Sequence, residues 1–171
     1  MKLFGKNIPV MVDLELPSGT LWADRNVGAD RPEAYGDYFR YDEIKGGMAE
    51  NKRNVAMFVL GERYHTPTFE QINELLEGCN HEWITLNDVK GIRITGPNGN
   101  SIFLPAGGYR FYYSAAIADG YYWSVTPNGN EEIYYCTDNS PCILYWGKNN
   151  QARGFLVRPV AIKEALNSFL F

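Results

Sequence analysis

The sequence predicts an α+β domain with more strand than helix, built from short antiparallel strands and hairpins with one or two helices. Three observations predict it. Two copies of Pro-Asn-Gly-Asn, at 97–100 and 127–130, each lie between alternating apolar segments, and Asn-Gly in that setting is the strongest short-range hairpin signal. The clearest helical period runs from Thr68 to Glu77. Glycine is raised, at 17 of 171 residues, while helix-building Ala, Leu, Lys and Glu runs are scarce, which favours a turn-rich chain. The length suits one domain, and an apolar content of 45% is enough for a real core.

Taken in order, residues 8–16 alternate loosely and end at Pro17-Ser18-Gly19, a strand followed by a turn. Thr20-Leu21-Trp22-Ala23 reads as a second strand. Residues 28–37 read as a polar loop with one helical turn after Pro32, and 37–41 as a strand. Residues 45–54 read as a solvated loop. The helix from Thr68 opens with a capping box, Thr68 with Gln71; Phe69, Ile72, Leu75 and Leu76 form its apolar stripe, and Gly78 supplies its stop. Then come hairpins 91–95 with 101–104 and 121–126 with 132–137. A strand over 155–160 precedes Ile162, Ala165, Leu166, Phe169 and Leu170, whose spacing predicts a C-terminal amphipathic helix over 161–171. The domain therefore spans 1–160 with a helical extension over 161–171.

Formal charge is −4, which argues against nucleic acid or an anionic membrane as partner, since both need a basic surface. No apolar run approaches the roughly 20 residues of a membrane span. The N-terminus shows no signal-peptide h-region and no lipidation cysteine. Cys79, Cys136 and Cys142 form neither a disulfide framework nor a zinc spacing and read as reduced, mostly buried thiols. His65 and His81 belong to no metal pair, and the His81-Glu82 pair reads as a surface loop. No nucleophile elbow or phosphate loop is present. Asp37, Asp42 and Glu43 lie close in sequence but lack the spacing of a calcium loop. No cofactor, metal or catalytic residue is therefore expected, and the chain does not read as an enzyme.

The tyrosines carry more information. Eight of the twelve lie from Tyr109 to Tyr145, and the thirty-five residues from Phe111 to Tyr145 hold no Lys or Arg. Tyr112-Tyr113, Tyr121-Tyr122 and Tyr134-Tyr135 are doublets, and adjacent strand residues point to opposite faces. A small domain rarely covers both faces of a sheet, so several rings are expected in solvent. Tyrosine among Asn, Ser and Gly is paratope composition; the other reading is ordinary β propensity.

Four stretches decide between these. Leu16-Pro17-Ser18-Gly19-Thr20-Leu21-Trp22-Ala23 continues into Asn26-Val27-Gly28-Ala29, Pro32-Glu33 and Tyr35-Gly36-Asp37-Tyr38-Phe39. Thr66-Pro67-Thr68 opens the helix. Gly96-Pro97-Asn98-Gly99-Asn100-Ser101-Ile102-Phe103-Leu104-Pro105-Ala106 runs into Gly108-Tyr109-Arg110. Gly120-Tyr121-Tyr122-Trp123-Ser124 is followed by Gly154-Phe155-Leu156-Val157-Arg158-Pro159-Val160. Together, over residues 12–160, they resemble the Fibrobacter succinogenes major paralogous domain family of gut Bacteroidetes and their phages. The resemblance implies a C-type lectin-like fold related to the formylglycine-generating enzymes. It also implies a variable protein of a diversity-generating retroelement, whose reverse transcriptase rewrites adenines in the C-terminal stretch. Asparagine AAY codons are the favoured substrate, yielding Tyr, Asp, Ser, Thr, Gly, Cys, Ile or Leu, but not Lys or Trp.

The resemblance places a variable region at about 109–153. Its ligand-binding surface would comprise Tyr112, Tyr113, Tyr121, Asn128, Asn130, Tyr134, Tyr135, Thr137, Asp138, Asn139, Ser140, Tyr145, Lys148, Asn149 and Asn150. Trp146 and Lys148 lie outside the permitted products, and Val125, Asp138 and Gln151 depart from the family pattern. Trp22, Trp123, Phe155 and the two Pro-Asn-Gly-Asn turns would be the fixed frame. The expected partner is a bacterial surface protein or glycan, recognised by tyrosine rings with hydrogen bonds from Asn, Ser and Thr. Calcium-dependent sugar-binding motifs are absent. The resemblance, with no secretion signal in view, points to a receptor-binding protein on a phage virion, in the cytoplasm before assembly, with 161–171 available to a tail or fibre partner. The alternatives are an undiversified scaffolding module and a formylglycine-generating-type enzyme using Cys136 and Cys142.

Overall fold

A computed structural model of the chain describes residues 7–40, 55–111, 114–116, 119–125, 131–136, 141–145 and 153–163, with backbone alone for 114–116, 125, 131–136 and 141–145. The strands are β1 (Met11–Asp13), β2 (Thr20–Ala23), β3 (Phe39–Arg40), β4 (Asn80–Leu86), β5 (Val89–Thr95), β6 (Ser101–Pro105), β7 (Tyr109–Phe111), β8 (Ser114–Ala116), β9 (Gly120–Val125), β10 (Glu131–Cys136), β11 (Pro141–Tyr145), β12 (Arg153–Phe155) and β13 (Val160–Ile162). Among the described residues two helices, α1 (Val55–Leu60) and α2 (Phe69–Gly78), lie between β3 and β4. The strands form four small sheets ordered β1-β2-β13, β3-β12-β7-β8, β4-β5-β6 and β11-β10-β9, every strand pair antiparallel. The fold is therefore α+β. Among the described residues no helix is long and apolar enough to cross a membrane.

Helix α2 forms as its sequence directs. Thr68 is the N-cap, its side chain accepting from the Gln71 amide while Gln71 reaches back to the Thr68 amide. Ile72 and Leu75 are buried beneath it. Its end differs from expectation: Gly78 is the last helical residue and the chain leaves through an extended Cys79. The same helix holds the Pro17-Ser18-Gly19 turn. The Ser18 hydroxyl donates to Glu74 at 2.6 Å, and the Gln71 amide donates to the Thr20 hydroxyl at 3.3 Å.

His81 is not in a surface loop: it lies in β4, opposite Ile94 of β5, and is half-buried. The β4–β5 hairpin closes on Asn87 and Asp88, both at positive φ (47° and 65°), the backbone of a two-residue primed turn. Helix α1 was not foreseen; six apolar residues are too few for periodicity to separate helix from strand. The strand expected over 155–160 is broken, since β12 ends at Phe155 and β13 begins at Val160. Between them the chain crosses from one sheet to another, the Val157 and Pro159 carbonyls accepting from Val27 and Ala23. Ala161 and Ile162 are strand residues paired with Leu21 and Thr20, so the expected helix cannot begin at 161; positions 164–171 lie outside the described residues, as do 41–54. At Pro32 the chain makes a single hydrogen-bonded turn, the Ala34 amide donating to the Arg31 carbonyl at 3.2 Å, and no helix.

The first Pro-Asn-Gly-Asn makes the expected hairpin, β5 with β6 in register Thr95↔Ser101. It also docks: the Asn98 and Asn100 amides both donate to the Asp13 carbonyl, at 2.8 and 2.9 Å.

The core has two parts. One gathers Trp22, Ile72, Leu75, Leu104, Tyr122 and Leu156; the other gathers Val27, Tyr64, Trp123, Phe155 and Val157. Trp22, Trp123 and Phe155 are buried as anticipated, though not in one cluster. Strand β9 runs between the two parts, Tyr122 belonging to the first and Trp123 to the second. For one of the three doublets this differs from the expectation that a small domain leaves a ring in water. At Tyr121-Tyr122 both faces are covered: Tyr122 is fully buried and Tyr121 half-buried against the second cluster.

Candidate functional site

Of the residues expected to bind ligand, Tyr112, Tyr113, Asn128, Asn130, Thr137, Asp138, Asn139, Ser140, Lys148, Asn149 and Asn150 lie outside the described residues. Tyr134, Tyr135 and Tyr145 are placed by backbone. Position 134 pairs with Tyr122 on one side and Ile143 on the other, 135 with Tyr121 and Cys142, and 145 with Glu132. The hairpin β10–β11 is thus attached to the molecule along β9, with β11 at the end of its sheet.

Strand β9 is firmly held on its other side. The Trp123 amide donates to the Leu156 carbonyl at 2.9 Å, and the Leu156 amide returns a bond to the Tyr121 carbonyl at 3.1 Å. The Trp123 indole donates to the Phe39 carbonyl at 2.6 Å, and the Tyr122 hydroxyl to the Pro105 carbonyl at 2.8 Å. Buried polar groups with partners of this kind fix a single packing arrangement.

Tyr121 is the one expected site residue whose side chain is described. Its ring meets Tyr109 edge-on at 5.4 Å and Phe155 at 6.0 Å. Arg153 stacks over Tyr109 at 4.8 Å, with Phe111 at 5.9 Å. On the opposite face of that sheet Arg110 stacks on Tyr38 at 4.9 Å. Burial pushes the Tyr38 hydroxyl above its ordinary pKa of 10.0, and it donates to the Gly107 carbonyl at 2.6 Å. This ladder of arginines and aromatics was missed in the sequence. Its signal was there: Tyr109-Arg110-Phe111 and Arg153-Gly154-Phe155 are short alternating segments, and stacked arginine over a ring is a common stabilising contact. Register places Arg153 opposite Phe111 and Gly154 opposite Arg110.

Among the described residues no three His, Cys, Asp or Glu side chains come together as a metal site; Asp42 and Glu43 lie outside them. Cys79 is half-buried with its pKa raised by burial. Cys136 pairs with Pro141 and Cys142 with Tyr135, so the two are offset by one pair rather than opposed. Both histidines sit in partly desolvated places that hold the pKa below the ordinary 6.5, by burial in each case, with the Leu75 backbone opposing the shift at His81. The buried His81 Nε2 has no hydrogen-bond partner. Above pH 6.5 both folded and unfolded chains hold these rings neutral. As pH falls through 6.5 the unfolded chain binds protons first, so stability is lost on acidification. Melting temperature is expected to drop between about pH 7 and pH 5, and less steeply in a His65→Gln/His81→Gln variant. Equal slopes would remove the histidines as the cause. Asp13, lowered by its Lys163 hydrogen bond from an ordinary 3.8, acts only in a more acidic window.

The chain matches no family model, no curated protein and no solved structure.

Proposed function

We propose that this chain is a non-enzymatic ligand-binding protein with a C-type lectin-like fold, of the Fibrobacter succinogenes major paralogous domain kind. Its specificity lies in the Tyr-, Asn- and Ser-rich positions of its last third, in segments a diversity-generating retroelement rewrites. Its ligand is a protein or glycan on a bacterial surface, and its setting is host recognition by a phage.

One observation carries this reading. The tyrosine-rich hairpin β10–β11 joins the fold along β9, while the motif residues of β9, Tyr122, Trp123 and Ser124, are buried. Segments carried on a rigid scaffold vary in sequence more readily than the scaffold that holds them. The other motif residues have structural work of the same kind. Ser18 binds α2, Asn98 and Asn100 bind β1, and Arg158 is wholly buried. The family signature thus reads as a frame, which leaves the Tyr/Asn/Ser segments as the part free to recognise something.

Two experiments test it. Replacing Tyr112, Tyr134, Tyr135 and Tyr145 together with Ala is expected to leave the urea midpoint almost unchanged, as substitutions at exposed positions do (within about 0.5 kcal/mol each), and to abolish capture of bacterial cells that the wild-type chain binds. Loss of the folded state instead would make those rings core. Independently, the gene should have beside it a reverse transcriptase gene and a near-copy of its 3′ end differing at template adenines. A genome lacking both leaves an undiversified binding domain.

A further inference from the structure

We infer that Arg158 is a positioning residue for the β9–β10–β11 sheet, acting through the side-chain amide of Asn26. Arg158 is fully buried, and its guanidinium donates to three oxygens on separate parts of the chain. Nε reaches Asn26 Oδ1 at 2.7 Å, Nη1 the Ala23 carbonyl at the end of β2 at 3.0 Å, and Nη2 the Phe103 carbonyl of β6 at 2.7 Å. Guanidinium offers donors only and stays protonated in proteins, so the atom of Asn26 facing it must be the oxygen. That choice fixes the other end of the amide. Asn26 Nδ2 then donates to the Tyr35 carbonyl at 2.9 Å and to the Tyr122 hydroxyl at 3.3 Å. With that donation received, the Tyr122 proton goes to the Pro105 carbonyl at 2.8 Å. Every hydrogen bond in the series runs one way, from Arg158 through Asn26 and Tyr122 to β6. An Asn amide alone has no preferred sense, because its two ends are nearly equal in size. Arg158 supplies the sense, and Tyr122 is the point where it reaches β9.

The sheet is the one that the proposed function uses, but amide exchange needs no ligand, so a failed exchange test and a failed binding test are distinguishable. Three full-length variants are compared by hydrogen exchange and mass spectrometry. Asn26→Asp keeps an acceptor for Arg158 and strengthens that contact with a carboxylate, but has no N–H to give Tyr122. Tyr122→Phe keeps the ring and removes the hydroxyl. Arg158→Met keeps the length of the side chain and removes the donors. Each is expected to raise exchange about tenfold or more over 120–125 and 131–136, while 89–95 in β5 stays within about twofold of wild type. Should Arg158→Met fail to fold, the other two decide. Asn26→Asp indistinguishable from wild type over 120–136 would overturn the inference, since Arg158 would then be an anchor with nothing passing through Asn26. A uniform rise that includes 89–95 would overturn it as well, because it reports lost global stability.

Discussion

Replacing Phe155 with Ala is expected to lower the stability of the protein by about 3–5 kcal/mol, the usual range for a buried phenylalanine. The cost should fall at the upper end, because the walls of the vacated space are rigid. Trp123 meets the Phe155 ring edge-on at 4.9 Å, Tyr121 stands at 6.0 Å and Tyr109 at 6.1 Å. Flat rings pinned by their own contacts, such as the Trp123 bond to the Phe39 carbonyl, do not close over a hole as aliphatic chains do. Each lost ring pair adds about 0.5–1.5 kcal/mol to the transfer loss. A urea titration checks it: the midpoint should fall with the slope unchanged. Phe155→Leu, which fills most of the space, should cost no more than about half as much. A loss below about 1 kcal/mol for the alanine variant would mean that the second half of the core collapses freely and is not the firm backing for β9 that we describe.

Phe155 also shows what was legible in the sequence and why. Local rules read well. Thr68 and Gln71 capped the helix, Asn98-Gly99 turned a hairpin, and the β9–β10 pairing fell where alternation placed it. These features depend on residues within a few positions of one another. Burial that depends on distant parts of the chain did not read. The Tyr121-Tyr122 doublet was expected to leave a ring in water, yet the two halves of the core close on β9 from both sides, through Leu156 and Leu104 on one and Phe155 on the other. His81 looked like a loop residue because it follows a helix closely. The pull of Trp83, Ile84 and Leu86 into a strand against β5 outweighed that position. The Phe155–Val160 segment alternated well enough for one strand, but Arg158 and Pro159 take the chain across to another sheet. As for the candidate site, the sequence alone named its tyrosines, and the structure adds the backbone rows of 134, 135 and 145 and the packing of Tyr121.

The second large effect is expected at Gly96. This residue precedes the first Pro-Asn-Gly-Asn and is not at positive φ, so conformational freedom is not its reason for being glycine. Space is the reason: a Cβ built there would fall on the Leu14 carbonyl oxygen, with the Leu14 Cβ at 2.8 Å. Both obstacles belong to the stretch joining β1 to β2, and Leu14 is fully buried in the first half of the core. Neither has a flexible end that swings aside, so Gly96→Ala must push the hairpin tip away from β1. Overpacking of that kind costs about 1–3 kcal/mol. Displacing the tip also takes Asn98 and Asn100 from the Asp13 carbonyl, at about 1 kcal/mol for each bond lost. We expect a total of about 3–5 kcal/mol from one added methyl group. Asn98→Ala sets the scale, since it removes a single bond and leaves the approach intact; its cost should be about 1 kcal/mol. If Gly96→Ala proves no worse than Asn98→Ala in the same denaturant series, the tip is held by its two amides alone. The close approach of Gly96 to Leu14 would then contribute nothing to holding the β4-β5-β6 sheet against the β1-β2-β13 sheet.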